Sequence, residues 1–370
     1  MTSTGARESD GAGPRVGGKQ DLISVLIVNY NYARFIPEAL ESALRQTYEA
    51  VEIVICDDGS KDDSREVIES YARDHPYRIK TVFKENGGVA SALNAAFEAS
   101  SGHIVALLDA DDRFGEDKLA LVSSAFHTDP AIGIVVNRMV KFSSDAEMTG
   151  LIPQAGGLDR GWIGNKLLRS GGHWSFAPAS GISLRRDCAL QIFPIPEQEF
   201  RSEADSYLFT QAPLSWAVGA VDAPVSFYRL HSSNLTSSDR ITVEYAERVL
   251  AGIERMCRAL SATASKKGLP LPRVEDNPVH AEMTLVRDYL EGAGIRVIVR
   301  DLRRLWRAAY RTTTADRSKW KIKPFVLSAT GLLPRRVGVV VLESMYLPTS
   351  LRQRLAGRKL RREGAQTLKG

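Results

Sequence analysis

The sequence predicts an α/β fold: a mostly parallel sheet with helices on both faces, followed by a helical C-terminal extension. Two observations carry the prediction. From Leu22 onward, strand-like apolar runs of 5–8 residues alternate with helical runs of 10–14, the rhythm of crossover units. The strand runs are apolar and β-branched throughout, as expected when helices cover both faces of a sheet. The class is therefore Rossmann-like rather than a sandwich or a bundle.

The elements follow in order. The first residues, MTSTGARESDGAGPRVGGKQ, are polar and Gly-rich, and are expected to be a disordered tail rather than a signal peptide. ISVLIVNY reads as a buried strand, and FIPEALESALRQ as a helix with Pro37 in its first turn, where a missing N–H is tolerated. VEIVICDDGS is strand-to-turn, DSREVIESYARD a helix, RIKTVFKE a strand and VASALNAAFEAS a helix. HIVALLDADD is again strand-to-turn, then KLALVSSAFHTD is a helix and IGIVVNRM a strand. Beyond Met139 the pattern loosens. Ser143–Gly172 reads as loop-rich, followed by strand-like pieces (HWSFAP, GISLRR, WAVGAVD, VSFYRLH) and a helix from Ser202 to Gln211. This part is expected to extend the same domain with mixed or antiparallel strands. Helices are expected at Glu244–Ser261 and Ile295–Arg311, separated by the break KKGLPLPRVEDNP. The expected organisation is a tail (1–21), one domain (22–240) with halves 22–139 and 140–240, and a basic helical extension (241–370).

Charge divides the chain unevenly. The whole carries +5, but Arg296–Gly370 holds 19 Lys and Arg against 4 Asp and Glu, leaving a body of −10. Body and tail are expected to meet different partners. Three scattered cysteines suit neither a disulfide framework nor a zinc site, and point to a reducing compartment. No uncharged apolar run reaches membrane-spanning length. NYNYARF follows the first strand where a dinucleotide fingerprint would stand, and no P-loop motif occurs.

Ligands of open parallel sheets bind outside the carboxyl ends of the strands. Here that rim is acidic: Asp57-Asp58 follows the second strand, and Asp109, Asp111 and Asp112 follow the fourth. Close carboxylates repel by about 1 kcal/mol per pair even in water. A single Asp reads well as a helix cap, and Asp63 and Asp112 fit that reading. Two clusters on one rim fit a hard divalent cation, Mg²⁺ or Mn²⁺, shared with substrate phosphates.

These blocks, SVLIVNYNYARFIPEALESALRQTYEAVEIVICDDGSKDDS and ENGGVASALNAAFEASSGHIVALLDADD, resemble family 2 of the inverting glycosyltransferases. The resemblance is strong over Ile23–Met139 and weaker to about Thr236. It implies the A-type glycosyltransferase fold, with residues 22–139 as the nucleotide-sugar half and 140–240 as the acceptor half. By resemblance, Val28 and Tyr30 line the base pocket and Asp58 accepts the N3–H of uracil or thymine. Asp109-Ala110-Asp111 matches the D-x-D signature, with Asp111 on the metal and Asp109 on the ribose or the metal. Asn86 and Gly88 match the N-x-G before the third helix; Leu93 stands where an Arg is usual.

Inverting transfer needs a carboxylate to take the acceptor hydroxyl's proton. The family carries it in an E-D pair, matched here by EFRSEADSYLF with Ala204 in the place of Glu. Asp205 is the expected base, with Glu203 its competitor one residue off register; an acidic first helical turn is the structural alternative. FYRLHSSNLT resembles the family's R-x-H segment. It implies support from Arg229 and a metal or diphosphate contact from His231. Trp174, in GGHWSFAPASG, is either a platform for a sugar face or an ordinary buried Trp. The Q-x-x-R-W of processive relatives is absent, so one sugar per encounter is expected.

In the tail, Ile298, Leu302, Leu305 and Ala309 recur at helical spacing beside Trp306, among Arg300, Arg303, Arg304, Arg307 and Arg311. This basic amphipathic pattern packs on the body, lies on an anionic membrane surface, or binds nucleic acid; the acidic body speaks against the last. PFVLSATGLLP and VGVVVLESMYL are too short or charged to span a bilayer. The expected protein is thus a metal-dependent enzyme moving one sugar from a UDP- or dTDP-sugar to a glycan or lipid-linked acceptor in cell-surface polysaccharide or glycoconjugate synthesis. It is expected in the cytoplasm or at the inner face of the membrane. The alternative is a non-catalytic nucleotide- or carbohydrate-binding scaffold.

Overall fold

The computed structural model describes residues 20–143, 148–153, 157–231 and 241–311. The expected disordered tail up to residue 19, the end of the FYRLHSSNLT segment, and the basic tail beyond Arg311 with its two short apolar stretches lie outside the described residues.

The strands are β1 (Ile23–Asn29), β2 (Val51–Asp57), β3 (Ile79–Phe83), β4 (Ile104–Asp109), β5 (Arg113–Phe114), β6 (Ile132–Phe142), β7 (Met148–Ile152), β8 (Ile182–Arg185) and β9 (Ala217–Arg229). They form one sheet in the order β3-β2-β1-β4-β8-β6-β9-β5, with β7 on β6. The first four are mutually parallel, β8 is antiparallel to both its neighbours, and β6 and β9 are parallel. The expected mixed extension is therefore present, and it continues the same sheet.

The helices are α1 (Ile36–Leu44), α2 (Ser64–Asp74), α3 (Val89–Ala99), α4 (Lys118–His127), α5 (Gly164–Arg169), α6 (Arg186–Ala189), α7 (Ala204–Gln211), α8 (Val243–Lys266), α9 (Pro278–Glu291) and α10 (Ile295–Arg311). Alternate residues of a strand face opposite sides, so β1 feeds two cores. Leu26 packs with Leu107, Phe97 and Trp174 on one face; Val25 and Ile27 pack with Leu40, Ile68 and Phe126 on the other. A third core joins α8, α9 and α10 through Leu250, Leu285, Val286, Ile298 and Leu305.

Three differences from the sequence reading have local causes. WAVGAVD and VSFYRLH belong to one strand, β9, whose pairing slips where Asn137 faces Val221 but Arg138 faces Pro224. Proline lacks a ladder donor and is placed at such bulges. HWSFAP forms no strand; its aromatic side chains pack inward instead. The helix α9 was not anticipated. Asn277 caps it by accepting from the N–H groups of Val279 and His280, Pro278 opens it, and Gly292 closes it at φ 83°.

The site is set by register. The chain order reverses at β1, which lies between β2 and β4. Asn29 pairs with Asp57 and Val28 with Asp109, so both acidic turns emerge at one level around the end of β1. That is the crevice where open α/β sheets bind ligands.

Candidate active site

The β2 side of the crevice is built from carboxylates with different tasks. Asn29 is buried and donates to Asp57 Oδ2 at 2.7 Å, while the Ser60 N–H donates to Asp57 Oδ1 at 2.9 Å. Asp57 is thus spent on shaping its turn. Asp58, 2% exposed, holds the loop before α3. Its Oδ1 accepts from the Gly87 N–H and from Lys84 Nζ, both at 2.9 Å, and its Oδ2 from the Gly88 N–H at 2.7 Å. A carboxylate offers about four lone-pair positions, so one remains for a base N–H. Gly88 is at φ 91°, a conformation that favours glycine. Half-buried Val28 and Tyr30, 41% exposed, flank this turn. Asn86 lies on the same loop. Leu93, in the place of the usual Arg, is buried in the core.

Across the crevice, one oxygen from each of Asp109, Asp111 and Asp112 lies within 4.8 Å of the others. The Arg229 N–H donates to Asp112 Oδ1 at 2.9 Å, yet Asp112 Oδ2 is buried without a hydrogen-bond partner. Burial, then the Asp111 charge, pushes the Asp112 carboxyl up to about 8. Burial and the charges of Asp112, Asp111 and Asp205 raise Asp109 as well. Three hard oxygens with too little positive charge, one of them orphaned, fit Mg²⁺ or Mn²⁺.

Arg229 braces this group. Its Nε donates to the Asp111 carbonyl at 2.7 Å, and its guanidinium pairs with Glu38 of α1. His231 Nε2 sits 2.9 Å from Asp111 Oδ2. The imidazole packs against Phe35 and Tyr32, with ring centroids 4.7 and 5.6 Å away. His231 therefore meets the acidic group through Asp111. Behind the acids, Lys118 is fully buried, donates to the Ser180 carbonyl at 2.7 Å and lies over the Phe114 ring.

The first turn of α7 separates the two expected bases. Glu203 is engaged by Arg255 of α8 at 2.7 Å. Asp205, in the first turn of α7, accepts only a neighbouring backbone N–H, that of Ser206, among the hydrogen bonds described. Burial raises its carboxyl to about 6, with a contribution from the Glu203 charge. Its charge contributes to raising the Asp109 carboxyl.

Trp174 requires a correction as an acceptor platform. It is 1% exposed, donates its ring N–H to the Phe209 carbonyl at 3.1 Å and packs with Phe176 and Phe209. A sugar cannot stack on a face already covered by core side chains; its support is to the core beneath α7.

Several residues at the site escaped sequence reading. Glu38, Lys84 and Lys118 were read only as parts of regular elements. Arg201 carries no local signal, because its partners, Asn86 and Gly87, lie more than 100 positions away.

Known proteins resemble this chain in sequence and in fold. The sequence profile of Glycosyl transferase family 2 matches residues 24–190. An uncharacterised glycosyltransferase of Nostoc sp. is 35% identical over 233 residues, 63% of this chain and 72% of that one. Chondroitin synthase of Pasteurella multocida is 39% identical over 114 residues, 31% of this chain but 12% of that protein, so the match is to a small part of the synthase. Among solved structures, residues 1–349 of S. aureus TarS in complex with UDP give a TM-score of 0.51 at 16% identity, covering 88% of this chain and 91% of that one. The UDP-GlcNAc complex of the same protein gives 0.53 at 15% identity, covering 84% and 91%. At these identities the likeness is one of fold: the sheet and its surrounding helices have the A-type glycosyltransferase arrangement.

Proposed function

The chain belongs to glycosyl transferase family 2, and on that premise we propose that it transfers one sugar, with inversion, from a UDP- or dTDP-sugar to an acceptor hydroxyl. The observation that carries this reading is the cluster of Asp109, Asp111 and Asp112 at the end of β4, whose Asp109 also feels the charge of Asp205, a carboxylate that accepts only the Ser206 N–H among the hydrogen bonds described. A base candidate and a cation-binding candidate thus face one crevice.

Asp58 supports the donor class. A carboxylate accepting from a base selects uracil or thymine, which carry N3–H, over cytosine, which does not. TarS, with the same fold, is solved with UDP and UDP-GlcNAc. Asp109 and Asp111, with His231 beside Asp111, would hold Mg²⁺ or Mn²⁺; Asp112 completes the acidic group. The bound cation would supply charge neutralisation for the diphosphate. Arg229 keeps Asp111 and the start of the His231 segment in place through its two backbone contacts. Asp205 takes the proton from the acceptor hydroxyl as that oxygen bonds to the anomeric carbon. With its carboxyl near 6 it is mostly ionised at neutral pH and still basic enough to work.

The acceptor is read as a glycan or lipid-linked chain, met at the inner face of a membrane. No helix among the described residues is long and apolar enough to cross one. The outer face of α10 instead exposes Val299, Trp306 and Tyr310 beside exposed Arg303 and Arg307, a pattern suited to an anionic surface. Ala204, in place of the family's Glu, supports the second reading, a binding scaffold without turnover.

The test is release of nucleoside diphosphate from a panel of UDP-, dTDP- and GDP-sugars with Mn²⁺ and a polysaccharide or lipid-linked acceptor extract. Release from a pyrimidine sugar, lost in Asp205→Asn, supports the proposal. Pyrimidine nucleotide binding without release from any sugar supports the scaffold.

A further inference from the structure

The segment from Ile195 to Asp205 is a strap that leaves the core of the acceptor half and ends at the candidate base. Ile195, Phe200 and Ala204 are 1%, 0% and 1% exposed, so every fourth or fifth residue anchors it inward. Polar contacts tie it to three neighbours. Asn94 of α3 exchanges a pair of hydrogen bonds with the Ile195 backbone, at 2.8 and 2.9 Å. Glu203 pairs with Arg255 of α8. Arg201 reaches the nucleotide loop: one guanidinium nitrogen donates to the Gly87 carbonyl at 2.9 Å and another to the Asn86 side-chain oxygen.

The contact with Arg201 is closely fitted. A Cβ on Gly88 would lie 2.4 Å from Arg201 Cγ and 2.6 Å from its carbonyl oxygen. Glycine at 88 thus admits the strap as well as its own positive φ. The Gly87 and Gly88 N–H groups are the ones that bind Asp58. A continuous line of contacts runs from Asp58 to the loop, from the loop to Arg201, and along the strap to Asp205 four residues later. Among the described hydrogen bonds, those of Arg201 join the strap to the nucleotide loop, and the Lys84 charge also acts on Glu197 of the strap.

We infer that Arg201 is a positioning residue that couples occupation of the nucleotide pocket to the placement of Asp205. It rests on the donor reading proposed above, since it needs a nucleotide at Asp58. Nucleotide bound there fixes residues 84–88; the fixed loop gives Arg201 rigid acceptors; the held strap sets the first turn of α7 and with it the base. The guanidinium suits this task because its planar fork engages two acceptors at once.

The test is hydrogen–deuterium exchange of the full chain with and without UDP and Mn²⁺, with steady-state kinetics. In the wild type, UDP slows exchange at residues 84–88 and also at 197–206. In Arg201→Ala, protection at 84–88 remains, protection at 197–206 is lost, and kcat falls about 10- to 100-fold, the scale of losing hydrogen bonds from a charged group. The Kd of UDP stays within about threefold, since the pocket's own contacts to Asp58 are intact. Arg201→Lys, which keeps the charge and one donor direction, recovers part of the loss in kcat. A merely structural arginine would lower thermal stability and leave the UDP-dependent exchange of 197–206 in place; that result overturns the inference. Should Arg201→Ala not fold, the wild type alone decides: protection confined to 84–88 overturns the coupling while leaving the donor reading standing. Absence of UDP protection at 84–88 overturns the donor reading, and the coupling with it.

Discussion

Replacing Asp205 by Asn removes a charge that the fold holds at a cost. Burial raises its carboxyl from 3.8 to about 6; the Ser206 N–H pulls the other way, and the Glu203 charge adds a smaller push upward. Between about pH 4 and 6 the folded chain keeps a proton that the unfolded chain has released. Stability therefore falls as pH rises through that window, and the full loss persists above it. A shift of this size corresponds to at most about 3 kcal/mol at neutral pH. Asp205→Asn keeps an oxygen for the Ser206 N–H and sheds the charge. It is expected to be more stable than the wild type by about 1–3 kcal/mol at pH 7.5, with the difference vanishing near pH 4. Turnover should fall by about 10²- to 10⁴-fold, the usual worth of a positioned base. The assay pairs thermal melts at both pH values, in chelator, with initial rates at pH 7.5. A variant less stable at pH 7.5, or one retaining turnover within about tenfold, would refute the assignment of Asp205 as a buried base.

Other outcomes follow from the same geometry. The wild-type rate should fall along an acid limb centred near pH 6, read from kcat against pH, as Asp205 takes up its proton. Asp111→Asn should abolish the metal dependence of nucleotide binding in calorimetry while leaving the far-UV spectrum unchanged. Trp174→Ala should cost about 3–5 kcal/mol in chemical denaturation, as a core deletion, with no acceptor-specific rise in KM. Arg303→Glu combined with Arg307→Glu should weaken co-sedimentation with anionic vesicles by about tenfold or more, each reversal removing on the order of 1 kcal/mol of attraction; unchanged sedimentation would remove α10 from the membrane reading.

The first half of the fold was legible because its signals are local. β1, β2 and β4 are short, largely apolar runs closed by polar turn residues, and the acids of the rim lie at or directly after the ends of β2 and β4. The D-x-D block could be read for the same reason. What lay between distant segments could not. Trp174 among glycines resembles a loop platform until Phe209, 35 residues on, is found accepting its N–H. In sequence Asp205 is favoured over Glu203 by one residue of register alone; Arg255, 52 residues beyond Glu203, engages one and not the other. The helix α9 carried its own punctuation in Asn277, Pro278 and Gly292, but its inward face includes Glu282 and Asp288, which hid the apolar stripe. Strand β9 was split because Pro224 and the charged Asp222 interrupt an otherwise apolar run, and only pairing with β6 shows that the ladder resumes beyond the bulge.

The central claim, that the rim acids hold a cation and through it a pyrimidine nucleoside diphosphate, is tested most directly by calorimetric titration of UDP, with dTDP and GDP in parallel, in Mn²⁺ and again in chelator. The account predicts binding of UDP or dTDP that is lost with chelator, and little affinity for GDP. Binding of none of the three in Mn²⁺, or binding of UDP that chelator leaves unchanged, would contradict it.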